Sequence, residues 1–68
     1  MNYSYEIDHR HVDLGGGWRL RLLEDGKEIG GGVYPHNIDP DGIDWAWQQA
    51  EDMGAGWLAD MLRSVPRL

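Results

Sequence analysis

The chain has 68 residues, with 12 Asp and Glu against 6 Lys and Arg, a net charge of −6 and no Cys. So short a chain buries only about 60% of its unfolded surface, which allows one small domain spanning 1–68 and no division of the core. The composition excludes a disulfide framework and a thiolate metal site, and its acidity disfavours nucleic acid and anionic membrane, because binding a polyanion depends on Lys and Arg displacing counterions.

Tyr3, Tyr5 and Ile7 alternate with Ser4, Glu6 and Asp8, the period-two pattern of a half-buried strand, and the parity breaks near His9. A strand running to about His11 is predicted, followed by a loop over 13–17, DLGGG. From Trp18 to Tyr34 the run WRLRLLEDGKEIGGGVY predicts a β-hairpin. Asp25-Gly26 suits a two-residue type I′ turn, with Glu24 and Lys27 facing each other across the first rung. That turn sets Trp18 opposite Val33, Leu20 opposite Gly31 and Leu22 opposite Ile29, making Leu22 and Ile29 buried neighbours; the burial pattern argues against a three-residue loop with a bulge, which would set Leu22 against Glu28 and turn Ile29 to the face of Arg19 and Arg21. Gly31 would then open a hollow on the apolar face for a bulky ring such as Trp57. Neither glycine triplet, 15–17 or 30–32, has the GK[ST] ending of a phosphate-binding loop.

Tyr34-Pro35 ends the sheet, and residues 36–42, HNIDPDG, form a turn-rich connector in which Asp39 or Asp41 is placed to cap a helix. From there Ile43, Trp47, Ala50, Gly54, Trp57, Leu58, Met61 and Leu62 make a helical stripe. Its unbroken phase favours one helix from about Asp41 to Ser64, with Gly54 the point at which it would break in two. The predicted fold is therefore α+β: a three-stranded antiparallel meander containing the 18–34 hairpin, packed by one C-terminal helix, βββα.

No residue constellation defines catalysis. Ser4 and Ser64 are the only serines and lie near the termini, so an enzyme is not expected and no cofactor is implied. His9, His11 and Asp13 share one side of an extended strand at a spacing from which zinc could be held, but a fourth ligand is not evident, and exposed polar alternation explains the same letters. His36, beside a turn, is equally ambiguous. MNYSYEIDHRH lacks the basic start and apolar run of a signal peptide, and no stretch approaches a membrane span, which together with the absence of Cys suits a reducing cytoplasm.

The charge is unevenly placed. Between Lys27 and Arg63 there is no Lys or Arg, whereas Glu28, Asp39, Asp41, Asp44, Glu51, Asp52 and Asp60 all fall there. On a helical wheel Trp45 projects away from the apolar stripe, next to Asp41, Asp52 and Asp44. Trp45 either covers the connector or the helix start, or, inside its acidic rim, is an interface anchor for a basic protein partner; on the second reading the expected contact surface is Trp45, Asp41, Asp44 and Asp52, flanked by Glu51 and Asp60.

The run WRLRLLEDGKEIGGGVYP, followed by an acidic helix ending G-x-G-W-L-A, resembles short uncharacterised proteins of bacteriophages and proteobacterial prophages over residues 17–60. In size, acidity and layout the chain is also similar to several anti-CRISPR proteins. The resemblance implies a non-enzymatic inhibitor acting in the host cytoplasm, blocking a basic nucleic-acid-binding surface of a larger complex such as a CRISPR effector. It carries no functional residue across, since those proteins share no motif. The other reading is a small adaptor or homodimer associating through the glycine-containing third strand.

Overall fold

The computed structural model describes residues 2–64. Strands β1 (Tyr3–His9), β2 (Trp18–Glu24) and β3 (Lys27–Tyr34) form an antiparallel sheet in that order, and one helix, α1 (Ala46–Ser64), packs on it. The architecture is the expected βββα meander, and α1 runs through Gly54 and Gly56 without a break. Among the described residues no helix is long and apolar enough to cross a membrane.

Strand β1 stops at His9, short of the expected His11. The His11 side chain instead accepts the Asp13 N–H at the head of a 3-10 turn, Val12–Leu14, which Gly15 closes at φ +98°. That turn reverses the chain into β2, whose seven residues pair one for one with β1, from His9 with Trp18 to Tyr3 with Glu24.

The β2–β3 turn is the tight one its residues specify: Asp25 and Gly26 both have positive φ, 51° and 83°, and Glu24 pairs with Lys27. The register beyond it differs from expectation. Leu23 pairs with Glu28 but Leu22 pairs with Gly30, so Ile29 is the extra residue of a β-bulge. Every later pair moves by one residue, giving Leu20 with Gly32 and Trp18 with Tyr34. Leu22 and Ile29 are therefore not partners; Leu22 is half-buried, Ile29 is exposed, and Leu23 is the more buried of the two leucines. Alternation alone predicted otherwise because it assumed a buried face across all three strands. The helix covers β1 and β2 and barely touches β3, so nothing requires Ile29 to turn inward.

The core is small. Leu20 is the one large side chain among the described residues that is fully enclosed, at 1% exposure, with Leu23, Ala46 and Ala50 also buried. Ala46, Ala50 and Gly54 recur every fourth residue and form the inner ridge of α1, so its N-terminal half approaches the sheet through small residues. At Gly54 the Tyr5 ring takes the place of a side chain: a Cβ there would lie 2.5 Å from Tyr5 Cδ2. The expected stripe holds at Ala50, Gly54, Trp57, Leu58 and Met61 but not at Ile43, Trp47 or Leu62, which are exposed. Ile43 precedes the helix, and small residues, not Trp47, mark the face that meets the sheet. Trp57 is half-buried and does not rest on the sheet glycines; its ring stands edge-on to Tyr3 at 5.9 Å, on the β1 side.

Candidate functional site

The helix begins at Ala46, not near Asp41, and the residues before it form a closed loop organised by two carboxylates. Asp39 accepts the N–H groups of Asp41 and Ile43 through Oδ1, both at 2.9 Å, and the Trp45 indole N–H through Oδ2 at 2.7 Å. These bonds, the indole first, hold its carboxyl below the usual carboxylate range. Asp44 accepts the Asn37 and Ala46 N–H groups, each at 3.0 Å, and pairs with His36 Nδ1 at 2.5 Å. The Asn37 and His36 bonds, with Ala46 after them, lower it from 3.8 to about 2. Asp44 thus supplies the acceptor at the helix start that was expected of Asp39 or Asp41. An Asp or Asn two residues before a backbone N–H in need of a partner is the sequence signal for both roles.

An Asp–His pair can serve as a general base, but His36 is otherwise engaged. Its Nε2 accepts the Gly17 N–H at 3.1 Å, so its ring proton sits on Nδ1 and points to Asp44. The imidazole is a joint between the β1–β2 loop and the helix start. The other two histidines are separated: His9 stacks against Trp18 with ring centroids 4.8 Å apart, while His11 caps the 3-10 turn. Among the described residues no group of three or more His, Cys, Asp or Glu is placed to hold a metal ion.

The structure gives the residues of the expected partner surface different local roles. Trp45 is 44% exposed, but its indole is tied to Asp39 over the connector, with Asp41 on the same loop. Asp44 is committed to the helix start. Glu51 faces the sheet and accepts the Tyr5 hydroxyl at 2.8 Å, which raises the tyrosine pKa. Asp52 and Asp60 do come together on one face of α1. With Gln49, Met53, Gly56 and Trp57 they line an open groove of about 580 Å³. The positions 49, 52, 53, 56, 57 and 60 follow the three-then-four spacing of a single helical face. Met53 is 57% exposed, and nothing approaches within 4 Å of where a Gly56 Cβ would lie, so the groove floor is apolar and its backbone is open to contact. Asp60 is also paired with Arg63 one turn on, and Asp52 accepts from Gln48 at 2.9 Å. Both pairings are exposed and hold the carboxylates weakly.

The groove was missed in the sequence because Met53 and Gly56 fall between the apolar stripe and the acidic positions. Their three-residue spacing from Gly56 to Met53, with Asp52 and Asp60 at the ends, was the available signal. No family model, no curated protein and no solved structure matches this chain.

Proposed function

We propose that this chain is a non-enzymatic binding protein that engages a basic segment of a protein partner along the exposed face of α1, in the manner of a small inhibitor of a larger nucleic-acid-handling complex. The observation that supports this reading is the groove itself: an apolar floor of Met53, Gly56 and Trp57 with a carboxylate, Asp52 or Asp60, towards each end. The two carboxylates are separated by eight residues, about 12 Å along the helix axis. An Arg or Lys side chain laid on that floor sets its apolar stem against Met53 and its charge against Asp52 or Asp60, and an Arg also meets the Trp57 ring. Displacing Arg63 from Asp60 costs little, because both side chains are largely exposed. The absence of Lys or Arg from 28 to 62 leaves the field over this face negative, which steers a cationic partner and repels nucleic acid.

The test is capture of partners from a bacterial lysate by the full chain, identification by mass spectrometry, and titration of the retained protein. Asp52→Asn with Asp60→Asn is expected to slow association and flatten its salt dependence, and Met53→Lys to weaken binding at least tenfold. A partner whose affinity and association rate are unchanged in both variants would place the interface elsewhere.

A further inference from the structure

The two edges of the sheet are protected very differently. On β1, Glu6 and Asp8 both engage Arg21, with Asp8 Oδ2 2.6 Å from Arg21 Nε, and α1 covers the other face. Strand β3 is barely covered by α1, and its charged side chains, Lys27 and Glu28, sit at the turn end beside the bulge at Ile29, where Glu28 engages Arg19. Among the described residues it pairs on one side only, with β2, and all of its residues from Lys27 to Val33 are exposed. No charged side chain occurs from Ile29 to Pro35. A stretch of edge strand without charge or cover presents its free N–H and C=O groups to another strand.

We infer that the occupant is β3 of a second copy of this chain, paired antiparallel about a two-fold axis at Gly31 to make a continuous six-stranded sheet. Self-complementarity selects this partner. Antiparallel neighbours share a face, and centring the pair on Gly31 sets Ile29 opposite the second copy's Val33, and Val33 opposite its Ile29. These are the two exposed apolar side chains of the strand, at 51% and 52%. Gly30 and Gly32 then cross with no side chains between them, beside the trough of about 360 Å³ that Arg19 and Glu28 wall.

The thinness of the monomer points the same way. Its shortest principal extent is 10 Å, and self-association is one of the few means by which so small a domain without a disulfide adds burial. The dimer uses the edge away from the α1 groove, so it stands or falls independently of the partner-binding reading.

Analytical ultracentrifugation of the full chain from about 1 μM to about 1 mM tests it. The expected result is a rise from the 7.8 kDa monomer towards twice that mass, absent in Ile29→Lys/Val33→Lys, whose exposed substitutions leave the circular dichroism spectrum native. Mixing that variant with Ile29→Glu/Val33→Glu is expected to restore the dimer, since each Lys then faces a Glu across the proposed register. A wild-type chain that stays at 7.8 kDa throughout overturns the inference. So does a dimer that persists in the double Lys variant, and failure of the mixed charges to associate overturns the register.

Discussion

Two runs of three glycines, 15–17 and 30–32, have opposite surroundings. In the first, Gly16 and Gly17 are buried at positive φ, and a Cβ on either would lie within 2.5 Å of His36 Nε2 or the Tyr34 carbonyl oxygen. The second lies open along β3, where a Cβ on Gly30 or Gly32 meets only a side chain at ordinary contact distance, 3.6 and 3.8 Å. Gly31 is the exception: at φ +146° its Cβ would sit 2.0 Å from the Leu20 carbonyl oxygen. The first triplet closes a joint, whereas the second leaves an edge bare around one locked residue. Glycine in a strand or loop therefore says that something approaches closely or that nothing does, and only the neighbours decide which.

Substitutions separate the two situations. Gly31→Ala is expected to cost most, about 3 kcal/mol or more by urea denaturation, because the obstacle is the β2 backbone and the φ is strained for any L side chain. Gly17→Ala follows at about 2–3 kcal/mol, its neighbours being the Tyr34 carbonyl and Pro35 backbone. A near-neutral result for either would mean that the strands shift apart easily and that the contrast is superficial. His36→Ala removes the acceptor of the buried Gly17 N–H and is expected to cost about 1–2 kcal/mol.

Asp44→Asn probes the other end of the same joint through pH. A folded pKa of about 2 against the ordinary 3.8 means that ionised Asp44 stabilises the fold fully above 3.8, and that this contribution is lost as the pH falls towards 2. The melting temperatures of wild type and variant should differ at neutral pH and converge over that range; a constant gap would show that charge is not what Asp44 contributes. The smallest effects belong to Gly30→Ala and Gly32→Ala, expected to be neutral or stabilising by up to about 1 kcal/mol, since each mainly restricts the unfolded chain. Marked destabilisation by either would reveal cover over β3.

Local features were the legible ones. Asp25-Gly26 specified its turn, the apolar alternation of Tyr3, Tyr5 and Ile7 specified β1, and the continuous phase from Ala50 to Met61 specified one helix through Gly54. What escaped depended on contacts between elements. The bulge at Ile29 is permitted by where the helix sits, and Trp47 reads as inward because a ring outweighs Ala46 in any hydrophobic count, although close helix–sheet approach favours the smaller residue. Of the expected site, only Asp52 and Asp60 line the groove. Glu51 and Asp44 looked identical to them as letters, yet Tyr5 and the helix start consume those charges. The Asp39 hub was partly visible, since its bonds to the Asp41 and Ile43 N–H groups are local.

The seat of Tyr5 on Gly54 also orders the events of folding. Accommodating that ring requires glycine inside a helix, and Gly54 with Gly56 costs α1 roughly 1 kcal/mol each, so a 19-residue segment already near the limit for independent helices has no stability of its own. The β2–β3 hairpin, by contrast, is nucleated by a turn that its own two residues encode. The expected order is therefore sheet first, with α1 condensing onto an existing tyrosine, and stopped-flow folding and unfolding rates of variants check it. Mutations under the helix, such as Ala50→Gly, will accordingly accelerate unfolding and leave the folding rate nearly unchanged, while changes at Asp25-Gly26 will slow folding itself.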